Sequence, residues 1–152
     1  MYRARDPLLD LLRQKKNEDK AAEEEWKKKK DEWLEDLKGL SILIRTWLKS
    51  ALKEGLVRIG DPELVSITEP CIGTYEAPVL KILSIPHDRV ILIEPRGVNT
   101  AGGQGRVDLS CGPARAMLVR VDRGKWRFAH PRAGANWEMK DLSAESFSET
   151  LA

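Results

Sequence analysis

Cysteine is scarce in this 152-residue chain: Cys71 and Cys111 stand alone, forty positions apart. A disulfide-stapled scaffold is thereby excluded, and intracellular thiols are the expectation. Phe and Tyr occur only twice each, so the five tryptophans carry most of the aromatic content. Long hydrophobic runs are missing. The most apolar stretch, Ile42-Leu43-Ile44, stops at Arg45, far short of the ~20 residues a membrane helix requires. Near the start, Asp10 divides Leu8-Leu9 from Leu11-Leu12, which leaves no continuous apolar region for a secretory signal. Neither sign of charge dominates, with 26 basic and 24 acidic side chains. Together these absences exclude collagen, a membrane span and wholesale disorder, and they predict a soluble cytoplasmic protein.

What is present suffices for one folding unit. Hydrophobic residues make up 41% of the chain, and a chain of this size buries roughly 68–70% of its unfolded surface. Two compositions meet after Leu56. Residues 1–56 carry ten lysines among 14 basic groups, whereas residues 57–152 carry nine arginines among 12. Seven of the eight prolines and nine of the eleven glycines fall in the second half. Turn chemistry is therefore concentrated where strands are expected.

The first half reads as helix. Asp6-Pro7 is an N-cap followed by a proline at the first helical position. Trp26, Trp33, Leu37, Leu40, Ile44, Trp47 and Ala51 form a heptad seam, interrupted only at Lys30. Gly55 supplies a left-handed C-cap. The spacing predicts a helix from about Asp19 to Glu54. A shorter stretch, Leu8 to Lys16, either continues it or folds back at Asn17 as a hairpin. In Glu23-Glu24-Glu25-Trp26-Lys27-Lys28-Lys29-Lys30 each acid precedes a lysine by four positions, the favourable order for an exposed helix.

The second half reads as antiparallel β. Six runs, at 63–68, 79–85, 89–94, 106–111, 114–121 and 125–130, are β-branched or alternating and separated by turns. No helix-length segment between them allows a parallel crossover. Strands 79–85 and 89–94 are apolar on both faces, which predicts a central position covered on both sides. The pattern pairs Val121 with Trp126, Val119 with Phe128 and Met117 with His130, leaving Arg120 and Arg127 outward. It also pairs Ile85 with Val90, Leu83 with Leu92 and Lys81 with Glu94. Ser143 caps a final helix, 144–151.

Sites of chemistry are harder to find. Cys71, His87, Cys111 and His130 are isolated rather than arranged in the close pairs typical of structural zinc. Cys111 with His130 lacks a third orienting group for nucleophilic catalysis. Gly102-Gly103-Gln104-Gly105 leads into a strand rather than a helix, so it reads as a hairpin loop (96–105) and not a phosphate cradle. No catalytic residue, metal or cofactor is expected. Arg96, Arg106, Arg120 and Arg127 offer guanidinium groups for a ligand or nucleic acid, but without interleaved aromatics to stack bases.

The fold expected is α+β: a long N-terminal helix or helical hairpin on a twisted antiparallel sheet of five to seven strands, with a short C-terminal helix. Residues 1–56 form the helical arm and sheet-packing helix, and 57–152 the β domain, as one unit. A helix of that length, about 54 Å, exceeds a compact body roughly 35–40 Å across, so its Trp26 end should project. The function expected is a non-catalytic interaction module, an adaptor or accessory subunit. Trp26, Trp33, Lys27, Lys30, Leu8 and Leu12 would meet a protein partner or a second copy. The alternatives are a small-molecule binder or small enzyme using the sheet and the 96–105 loop, or a nucleic-acid-associated protein using Lys27–Lys30 or the arginine face.

Overall fold

The computed structural model describes residues 6–98, 104–131 and 137–151. One helix, α1 (Pro7–Trp47), runs unbroken through Asn17, so the chain extends rather than folding back. Asp6 Oδ1 accepts the Leu9 N–H at 3.1 Å, and Pro7 opens the first turn. Between Leu8 and Lys38 there is neither glycine nor proline, and strong helix formers dominate. Leu48 marks a slight hitch, its N–H still bonded to Ile44 O at 3.0 Å, before α2 (Lys49–Lys53) completes the rod. Gly55, at φ 73°, ends it with two bonds, Gly55 N–H to Leu52 O (3.2 Å) and Leu56 N–H to Ala51 O (3.0 Å). Only a left-handed residue after the helix lets both carbonyls be satisfied this way.

Eight strands follow among the described residues: β1 (Val57–Ile59), β2 (Glu63–Glu69), β3 (Gly73–Ser84), β4 (Arg89–Gly97), β5 (Arg106–Cys111), β6 (Ala114–Asp122), β7 (Lys125–Pro131) and β8 (Trp137–Asp141). All pairs are antiparallel, in the order β1-β3-β4-β5-β6-β7-β8. The long β3 is shared at its other edge segment by β2, which pairs with residues 73–79 while β1 pairs with 82–84. Helix α3 (Ala144–Leu151) closes the chain, with Ser143 Oγ accepting the Ser146 N–H at 3.1 Å. The architecture is α+β, with more strands than the sequence pattern predicts.

Two registers differ from expectation. In the β6–β7 hairpin a two-residue turn, Arg123-Gly124, joins the strands, with Asp122 opposite Lys125. A bulge at Val121 then shifts the ladder by one: Arg120 faces Trp126, Leu118 faces Phe128 and Val119 faces Arg127. Arg120 thus points inward and Val121 lies exposed. The alternation pattern places an arginine outside because an unpaired buried charge is costly; here Asp36 on α1 supplies the counter-charge.

In the β3–β4 hairpin Ser84 faces Arg89 and Lys81 faces Leu92. The loop is therefore four residues, Ile85 to Asp88, rather than two. Pro86 has no N–H to offer a ladder, Asp88 takes a positive φ of 47°, and the Ile85 N–H is engaged by Leu56 O at 3.0 Å. Lys81 consequently meets Glu63 (3.4 Å) instead of Glu94, which lies near Arg96 (3.9 Å).

The core lies between one face of this sheet and the second half of α1. Trp33, Leu37, Leu40, Ile44 and Leu48 pack on rows that include Leu80, Ile93 and Leu109, and Val107, Leu118 and Phe128. Phe147 of α3 is enclosed with them, 5.5 Å from Trp47 between ring centroids. β3 and β4 are interior strands, with β5 rather than either of them at the middle of the order, and they are not covered twice. Val90 is exposed and Leu83 and Leu92 are half-buried on the outer face, where Lys81 and Glu94 also lie.

Candidate partner-binding arm

Helix α1 has two halves with opposite surroundings, and the transition falls at Trp33. That indole is 0% exposed. Its ring sits 5.7 Å from Trp126, with the Arg120 guanidinium 5.1 Å above it. Gly105 lies against it so closely that a Cβ there would run into the ring, and Gly105 also holds φ 154°. The indole N–H has no hydrogen-bond partner among the described residues.

One turn on, Asp36 pins the helix to the β6–β7 hairpin. Its Oδ2 accepts from Arg120 Nη1 (2.7 Å), Arg123 Nε (3.0 Å) and the Gly124 N–H (3.2 Å). Arg120 is 3% exposed and donates its Nε to Gln104 O at 3.0 Å. Burial by itself would raise the Asp36 carboxyl, but Arg123, Arg120 and the Gly124 amide together outweigh it and hold the group below its ordinary 3.8. Arg123 is correspondingly raised, chiefly by its bond to Asp36, with Glu32 and Glu35 adding to the field. Nearby, Tyr75 donates to Glu69 Oε2 at 2.5 Å. Burial first, and then the Glu69 carboxylate, push its phenol well above the ordinary tyrosine range. The Trp33 indole opposes that shift by proximity, without hydrogen-bonding geometry. These groups explain how the helix is held.

Before Trp33 the helix stands in solvent. Leu8 is 64% and Leu12 is 55% exposed, and Leu9 and Leu11 beside them are exposed as well. Every residue from Asp6 to Glu25 is exposed, and Trp26 and Lys30 are half-buried. Local contacts brace this arm: Gln14 Nε2 donates to Glu18 (3.2 Å), Lys28 approaches Glu32 (4.0 Å), and Lys29 Nζ lies 4.5 Å from the Trp26 ring centre. Lys28 and Lys29 therefore turn away from the Glu24 and Glu25 partners that the spacing suggests.

The sequence-predicted residues thus separate into three groups. Leu8, Leu12, Trp26, Lys27 and Lys30 lie on the arm. Trp33 does not: it is sealed between helix and sheet, because the body begins one heptad later than the seam alone reveals. Arg120 is likewise removed from any surface, since its guanidinium is buried against Asp36. The remaining arginines stay outside but are engaged. Arg96 and Arg106 share Asp108 (2.8 and 2.7 Å), and Arg127 meets Asp141 (3.1 Å). Asp36 was missed entirely, and only its position three residues after a seam tryptophan hints at it.

Among the described residues no group of three or more His, Cys, Asp or Glu could hold a metal ion. Cys71 and Cys111 are free thiols, and His87 lies exposed in the β3–β4 loop. The His130 side chain and half of the 96–105 loop, from 99 to 103, lie outside the described residues. No described helix is long and apolar enough to cross a membrane. Neither a family model, nor a curated protein, nor a solved structure matches this chain.

Proposed function

We propose that this protein is a non-catalytic interaction module, an adaptor or accessory subunit, that engages a protein partner through residues 7–30 of α1. The observation that carries this reading is the leucine-rich first two turns. Four leucines are exposed at the free end of a helix whose other end is locked into the core. Exposed large apolar groups clustered on one segment mark surfaces that bury against something else. A charged, self-braced stem then holds that cluster away from the body.

The alternatives draw less support. The apolar groove between α1 and the β2–β3 edge, beside Ser41, Pro62 and Pro78, encloses about 110 Å³, below the roughly 300–1,000 Å³ of small-molecule pockets. The hollow beside Leu43, Trp126 and Asp141 reaches about 350 Å³ but lies open to solvent, as does the one of about 630 Å³ along Leu12–Glu23 of the arm. On the arginine face the carboxylates of Asp108 and Asp141 match the charge locally, which weakens the attraction for phosphate. The test is a pull-down from the native host with the full chain and with Leu8→Glu/Leu12→Glu. Loss of a bound protein at unchanged circular dichroism supports the module reading. Retention of every bound protein by the variant overturns it.

A further inference from the structure

We infer that the arm's partner is a second copy of this chain, bound antiparallel in a single register: Leu8 against Trp26, Leu12 against Ala22 and Lys15 against Asp19. Each contact is made twice across a two-fold axis. This inference rests on the interaction reading above and names the occupant of the arm.

The argument starts from one stripe on the helix. Counting back from Trp33, the positions 26, 22, 19, 15, 12 and 8 follow spacings of four and three, so they share one face. They are Trp26, Ala22, Asp19, Lys15, Leu12 and Leu8, and all but the half-buried Trp26 are exposed. Laid against its own reverse, that stripe closes on itself. The largest side chain meets a leucine, the smallest meets the other leucine, and at the centre a lysine meets an aspartate. A self-complementary patch of this kind is what an isologous contact requires.

Charge and shape reject the competing arrangements. A parallel, in-register pair sets Glu23–Glu25 against themselves, Lys27–Lys30 against themselves, and Lys15 on Lys15. An antiparallel pair centred on Trp26 would match Glu23–Glu25 with the partner's lysines. It would also drive the partner's first turns along Leu37, Leu40 and Ile44, a face already buried on the sheet. In the register inferred, Pro7 of one chain faces Lys27 of the other, so the overlap stops short of Trp33, where the body begins, and the two sheets sit at opposite ends.

The experiment uses the full chain with Cys71→Ser and Cys111→Ser as background. One preparation then carries Leu12→Cys and another Ala22→Cys. Mixed and oxidised, they should form a heterodimeric disulfide. Either alone should not, because like positions lie ten residues apart along the pair, about 15 Å, beyond disulfide reach. Sedimentation across a range of concentrations supplies the second arm. Lys15→Asp and Asp19→Lys should each raise the dimer dissociation constant at least about tenfold, and the double exchange should restore it. Self-crosslinking of Leu12→Cys, failure of the double exchange to restore pairing, or a monomer at every concentration overturns the inference. If the chain is monomeric but Leu8→Glu/Leu12→Glu still loses a foreign protein, only the second-copy assignment falls. If no protein depends on the arm, the module reading falls with it.

Discussion

A single oxygen of Asp36 holds two guanidinium groups and a backbone amide, and it does so at the boundary between core and arm. Arg120 is the member that decides the energetics, because it is buried and has no other carboxylate within reach in the described network. Asp36→Asn should cost about 3–5 kcal/mol by stranding that charge, and Asp36→Leu/Arg120→Met should recover most of the loss. Urea unfolding of the three proteins checks this. The pH dependence has a definite sign. The folded-state carboxyl sits below its ordinary value, so its contribution is complete above the unfolded pKa, about 3.9. It disappears as the pH falls through the lower folded value. Below about pH 4, the native protein should therefore lose stability faster than Asp36→Asn, measured as the shift in urea midpoint. Nothing in local sequence announces this pair, since its members lie 84 positions apart. Alternation alone therefore puts Arg120 outside.

At the level of elements, the hairpins show where patterning succeeds and where it stops. The strands at 63–69, 89–97, 106–111, 114–122 and 125–131 are legible because β-branched and alternating residues are bounded by Gly, Pro and Asp. β1 is only three residues long, and β8 mixes Trp, Glu, Met, Lys and Asp without clear alternation, so neither carries a signal above its neighbours. The first half of β3 was hidden by Pro78, which sits opposite Leu64 of β2. The Val121 bulge makes the sharpest test of register. Phe128→Ala should cost about 3–5 kcal/mol. Arg127→Ala and Val121→Ser should each stay within about 0.5 kcal/mol, because the bulge turns Val121 to solvent. A large loss from Val121→Ser would restore the unbulged ladder.

For the molecule as a whole, the packed and the solvent-exposed stretches of one helix are separate. The heptad seam correctly marks α1 and its packing on the sheet, and the length argument correctly requires an overhang. What the seam could not reveal is the boundary, since Trp26 and Trp33 are equivalent in spacing and differ only in what lies above them. Amide hydrogen exchange should expose that boundary directly. Residues 33–48 should exchange only with global unfolding, and residues 8–25 of the isolated chain far faster, since every one of them is exposed. Slow exchange throughout residues 8–25 at high dilution would mean that the arm is held by its own body.

The unbroken course of α1 also sets a distance. A helix without glycine or proline from Leu8 to Lys38 is a stiff spacer, unlike a flexible tether of the same residue count. Were two chains paired in the register inferred above, their Trp33 anchors would stand about 48 Å apart along the axis at 1.5 Å per residue. Such a rod is a ruler. Whatever the two sheets carry is held at one separation rather than over the range a flexible tether would allow.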